Sequence, residues 1–120
     1  VSRTITLQTI DHGPVTVEEP DWCLGHAGEP VGYRADIVHK GRIVAAEYEA
    51  DHGPVEFLKA RISWGPFGEL RPEPYPVADV EEFPPMSPAQ LRELVAEVHL
   101  HADRLDRLAD ELDRLRRAES

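Results

Sequence analysis

The chain has 120 residues, is 41% hydrophobic, and sets 13 Lys and Arg against 23 Asp and Glu, for a net charge of −10. That is one domain's worth of chain with enough apolar material for a core. The charge excludes a phosphate backbone as partner unless basic groups cluster, and they do not; with no apolar run of about 18 residues, a membrane span is excluded too.

The first residues lack the basic-then-apolar pattern of a secretory signal, so a cytoplasmic setting is expected. A lone cysteine, Cys23, forms no internal disulfide and fits the same setting. Eleven of the 13 basic residues are Arg, a bias that fits a GC-rich genome.

Residues 3–10 alternate in polarity and are rich in β-branched side chains, which predicts a strand. Asp11-His12-Gly13-Pro14 reads as a turn and Val15-Thr16-Val17 as the returning strand. A loop with Pro20, Gly25, Gly28, Pro30 and Gly32 follows.

Tyr33 to His39 alternates again, Lys40-Gly41 reads as a two-residue turn, and Arg42 to Glu49 as its return strand. Asp51-His52-Gly53-Pro54 repeats the earlier tetrapeptide; the flanks differ, so two independent turns are expected rather than a duplicated hairpin. Val55 to Trp64 is the fifth expected strand, although Phe57-Leu58-Lys59-Ala60 also tolerates a helix.

Between Pro66 and Pro88 lie seven of the 11 prolines, which predicts a semi-extended connection with one short edge strand within Tyr75–Val80. Phe67, Leu70, Tyr75, Val77 and Phe83 give this segment side chains to bury against the sheet.

Ser87-Pro88-Ala89-Gln90 is a helix start with a capping box, and neither Gly nor Pro follows as far as Arg117. Leu91, Leu94, Val98, Leu105, Leu108, Leu112 and Leu115 fall at alternating three- and four-residue steps, with His101 in the one remaining slot. Val95, Ala102 and Ala109 widen the stripe. The first half has the breadth to cover a sheet; the second, through Leu105, Leu108, Leu112, Leu115 and His101, has the narrow seam of a helix–helix interface. Arg104 and Glu111 flank that seam on one side and Arg116 on the other, an arrangement of opposite signs that favours pairing with a second copy in an antiparallel sense.

The expected fold class is therefore α+β: an antiparallel β-sheet of four to five strands over 1–64, a Pro-rich connection over 65–86, and one long C-terminal α-helix over 87–118, a single domain overall.

The chemistry concentrates in Trp22-Cys23-Leu24-Gly25-His26. Cys23 and His26 offer two zinc ligands from one loop, and His39 and His12 could add two more, with Asp36 as an alternative oxygen donor. Such a site would tie a slack loop to the sheet. The competing reading makes Cys23 a small buried hydrophobe and the histidines turn or surface residues. Cys23 as a nucleophile would need a base and an oxyanion site, and no motif supplies the latter.

Asp11-His12-Gly13-Pro14-Val15, Pro20-Asp21-Trp22-Cys23-Leu24-Gly25-His26 and Asp36 with His39 and Gly41 resemble an uncharacterised family of small actinobacterial domains over roughly residues 4–70. The resemblance places Cys23, His26 and His39 at the motif's Cys and His positions. It implies a bacterial cytoplasmic setting and no assigned activity.

The function expected from these features is that of a small acidic interaction or regulatory protein, non-enzymatic, dimeric through its C-terminal helix and carrying a structural zinc. Two alternatives stand beside it: a small metal- or thiol-dependent enzyme using Cys23, His26 and His39, and an acidic protein that occupies a basic site on a protein partner.

Overall fold

A computed structural model describes residues 3–68 and 74–119. It has antiparallel sheets followed by one long C-terminal helix, an α+β architecture, and it divides into two compact units, Val1–Met86 and Ser87–Ser120. Leu70, counted above among the connection's apolar residues, lies outside the described residues.

In the first unit, β1 (Arg3–Thr9) and β2 (Gly13–Glu19) form a two-stranded antiparallel sheet in register from Arg3 opposite Glu19 to Thr9 opposite Gly13. Alternation sets its faces: Ile5, Leu7 and Thr9 on β1 and Val15, Val17 and Glu19 on β2 are the less exposed positions. The closing loop is held by Thr9, whose hydroxyl donates to the Gly13 carbonyl at 2.8 Å and accepts the His12 N–H at 2.9 Å.

The second sheet is organised on β5 (Gly53–Trp64). On one side lie β3 (His39–Lys40) and β4 (Val44–Ala50); β6 (Val77–Val80) pairs with Ala60–Ser63. The residues Phe57–Ala60 are strand, not helix: Phe57 pairs with Ala46 of β4, and Ala60 pairs with Val44 of β4 and Val80 of β6. The short edge strand expected within Tyr75–Val80 is β6.

The expected strand over Tyr33–His39 is not formed. Residues Arg34–Asp36 make a 3₁₀ turn (η1), with the Asp11 carboxylate accepting the Arg34 N–H at 2.9 Å and the Arg34 guanidinium 4.1 Å from the Phe67 ring centroid. Nor does Lys40-Gly41 turn the chain. Residues 39–50 run along β5 in a single direction, and Gly41 donates to the Ile62 carbonyl at 2.8 Å. Its glycine serves close approach: a Cβ there would lie 3.4 Å from that carbonyl oxygen and 3.5 Å from the Trp22 ring.

The repeated tetrapeptide closes two different loops. Thr9 and Gly13 bracket three residues, while Ala50 and Gly53 bracket two, so the turns are independent.

The helix α1 (Pro88–Glu119) forms the second unit and spans about 48 Å at 1.5 Å per residue. Its start is a reciprocal capping box: Gln90 N–H donates to Ser87 Oγ at 3.2 Å, and Ser87 N–H donates to Gln90 Oε1 at 2.9 Å. Leu105, Leu108, Leu112 and Leu115 remain about half exposed.

Gly53 has φ +115° with open space around it, so Gly53→Ala carries a backbone cost alone. Gly32 has equal space and no such φ. Chemical denaturation should show Gly53→Ala losing about 1 kcal/mol or more, and Gly32→Ala staying within about 0.5 kcal/mol of the parent.

Candidate metal centre

Among the described residues the buried apolar side chains are Val17 and Val80, whereas the largest fully buried side chains are His39 and Glu19. The first unit is therefore centred on polar groups, and buried polar groups are costly unless they find partners.

Glu19, Cys23, His26 and His39 converge there, each offering one ligand atom, and these atoms lie within 4.8 Å of one another. Each arrives for a local reason. The alternation of β2 puts Glu19 on the inward face with Val15 and Val17. The turn after β2, closed by Cys23 N–H on the Pro20 carbonyl at 3.1 Å, brings Cys23 round. Leu24 N–H then donates to the Lys40 carbonyl at 3.0 Å, which pins the loop beside β3 and its His39.

Two of the separations are close to those of ligands on one metal ion. His26 Nε2 is 3.2 Å from Glu19 Oε1 and 3.8 Å from Cys23 Sγ. Tetrahedral ligands at zinc-type bond lengths would be separated by about 3.3–3.6 Å. His26 Nδ1 faces Glu29 Oε2 at 3.1 Å. A carboxylate only accepts, so this contact assigns the proton to Nδ1 and turns the Nε2 lone pair toward Glu19 and Cys23.

Two groups within the cluster lack the partners that burial demands. Neither ring nitrogen of His39 makes a hydrogen bond, and its side chain is fully buried between the His26 ring, edge-on at 5.4 Å, and the Trp64 ring at 5.6 Å. Glu19 Oε1 is also buried; its approach to His26 Nε2 lacks hydrogen-bond geometry. The other carboxylate oxygen, Oε2, is taken by the Arg3 guanidinium at 2.9 and 3.0 Å. A lone pair and a carboxylate oxygen facing one another at such range are placed to share a cation.

Without metal, burial opposes ionisation of Glu19, but the adjacent Cys23 thiol, Arg3 and His26 together hold its carboxyl below the ordinary range. Burial pushes the Cys23 thiol up, and the Glu19 charge adds to this against the backbone N–H of Gly25. Burial, then the neighbouring His26, depress His39. The cluster thus offers one carboxylate, one thiol that a metal would deprotonate, and one imidazole kept neutral, a donor set suited to a dication.

Of the residues the sequence singled out, Cys23, His26 and His39 come together. His12 does not join them: it sits in the β1–β2 turn with its ring 57% exposed, 3.4 Å from Asp11. Asp36 lies in the 3₁₀ turn, outside the group. Glu19 was missed, although the Val15-Thr16-Val17-Glu18-Glu19 alternation places it on the buried face four residues before Cys23.

The sequence pattern of a domain of unknown function, DUF6907, matches residues 4–114. The chain belongs to this family. No match is found among curated proteins or among solved structures. The family's span takes in the whole Glu19/Cys23/His26/His39 group and all but the end of α1.

For metal-free protein the sign of the pH dependence follows from His39. Its folded value lies below the ordinary 6.5, so below that value the unfolded chain binds the proton first and stability falls as pH drops. Denaturant unfolding in chelator at about pH 7.5 and about pH 5.5 should show this loss, with His39→Phe reducing the difference.

Proposed function

We propose that this protein is a small, non-enzymatic interaction or regulatory module whose first unit is held together by a structural zinc ion on Glu19, Cys23, His26 and His39, and which self-associates through its C-terminal helix. The observation that carries the metal reading is His39, fully buried with both ring nitrogens unpartnered at the convergence of three other donors. One carboxylate, one thiolate and two neutral imidazoles balance the charge of a dication, and the mixture of thiolate and imidazole is that of zinc. Glu29 on His26 Nδ1 and Arg3 on Glu19 Oε2 act as outer partners that fix the two ligands' orientation.

The same geometry favours structure over catalysis. Four protein donors fill a tetrahedral sphere and leave no position for water. A cleft of about 540 Å³ runs beside β1 and is lined by His26 and Glu29, but Glu19, Cys23 and His39 do not line it. The raised thiol argues against Cys23 as a free nucleophile at neutral pH.

Support for self-association comes from α1. Leu105, Leu108, Leu112 and Leu115 repeat at coiled-coil spacing and keep 47–64% of their surface exposed, with His101 one step before them. Arg104, Glu111 and Arg116 flank this seam, Arg104 paired with Glu97 and Glu111 with Arg114 on the same helix. A cytoplasmic setting keeps the lone thiol reduced for metal binding.

Native mass spectrometry of the untagged protein should give a dimer with one zinc per chain. Cys23→Ser should lower zinc content and melting temperature together, His12→Ala should change neither, and Glu29→Gln should weaken zinc binding roughly 10–100-fold. Joint replacement of Leu108 and Leu112 by Glu should yield a zinc-loaded monomer; a persisting dimer would refute the role given to the helix.

A further inference from the structure

Among the described residues the strand β4 has an unpaired edge, and we infer that this edge takes an extended segment of another protein in which basic and apolar residues alternate. The inference rests on the reading of the chain as an interaction module, and it names a surface and a partner chemistry that neither the zinc nor the helix requires.

The register fixes which backbone groups are free. Ala50 pairs with Gly53 across a two-residue turn, so that pair, Tyr48 with Val55, and Ala46 with Phe57 are the mutually bonded ones. Pro54, which has no N–H, falls in the non-bonded pair with Glu49, as this phase demands. Ala45, Glu47 and Glu49 therefore turn their N–H and C=O groups away from β5, and among the described residues no strand lies on that side. The opposite margin of the hairpin is blunted by Pro54 and by the positive φ of 52° at Leu58, where the register with β4 shifts; the β4 edge from Ala46 to Ala50 has neither device.

The side chains specify what fits. Directly opposed residues share a face, so Val44, Ala46 and Tyr48 stand with Val55 and Phe57, while Glu47 stands with Glu56 on the other face. Tyr48, Val44, Val55 and Phe57 keep 65, 59, 49 and 46% of their surface exposed. From Val44 to Leu58 the hairpin carries Glu47, Glu49, Asp51 and Glu56 and no Lys or Arg.

A second copy is a poor occupant. Two β4 strands paired at their midpoints would oppose Glu47 to Glu47, and a two-residue slip would oppose Glu47 to Glu49, both repulsive. The acids that guard the edge against self-pairing select a strand with basic residues on their face and apolar residues on the face of Tyr48.

The test is NMR titration of the full, zinc-loaded chain with a synthetic peptide of about eight residues alternating Lys and Val, the length of one strand. A block peptide of the same composition serves as the control. The inference predicts shifts confined to 44–50, slowed exchange of the Ala45, Glu47 and Glu49 amides, and at least about tenfold weaker binding of the block peptide. The variant Glu47→Lys with Glu49→Lys should lose the Lys/Val peptide and gain an alternating Glu/Val one. Equal binding of the two Lys/Val peptides, shifts scattered over other acidic positions, or unchanged binding by the charge-reversed variant would overturn it. Zinc content and oligomeric mass read on the same samples report separately on the zinc site and the helix, so failure of the edge leaves those readings standing.

Discussion

Four polar side chains meet where a domain of this size ordinarily places its apolar core. Val17 and Val80 are buried apolar residues of the described chain, and they are small; His39 and Glu19 occupy the fully buried volume instead. A carboxylate, a thiol and two imidazoles held that close oppose folding unless a cation joins them. With a dication present the same groups become a cross-link, and its free energy of binding becomes free energy of folding. Small domains that cannot bury enough apolar surface commonly depend on such a staple.

The position of these four donors explains the arrangement around them. Glu19 ends β2, His39 begins β3, and Cys23 and His26 lie on the loop between them. The metal would therefore join the two-stranded sheet to the sheet built on β5. Backbone hydrogen bonds tie the intervening loop to either side: Ile10 N–H on the Gly32 carbonyl and Leu24 N–H on the Lys40 carbonyl. Trp22 packs on Gly41 and Trp64 lies against His39, so the aromatic side chains of the region shelter the cluster rather than form a core of their own.

What was legible in the sequence is what local chemistry decides. The capping box of Ser87 and Gln90 and the unbroken run after Pro88 marked the helix, alternation marked β1, and the extended runs beside the two Asp-His-Gly-Pro turns marked β2, β4 and β5. The strand expected over Tyr33–His39 failed because its backbone answers to distant groups, the Asp11 carboxylate and the Phe67 ring, which no local pattern reveals. Gly41 looked like a turn residue because glycine is common in turns; here its missing Cβ admits Trp22 and the β5 backbone. In the site, the Cys23–His26 spacing was readable. His12 looked equivalent to His39 by composition, but a turn holds one at the surface and a strand start buries the other. Glu19 was hidden among the chain's 23 acids until strand alternation was applied to it.

The account stands on a metal bound by one sulfur and three nitrogen or oxygen donors. X-ray absorption at the zinc edge of the protein, purified without chelator and supplied with one equivalent of zinc, tests this most directly. The account predicts four-coordinate zinc with one sulfur at about 2.3 Å and three lighter donors at about 2.0–2.1 Å. A spectrum without a sulfur shell, or one of zinc surrounded by six oxygens as in water, would contradict it.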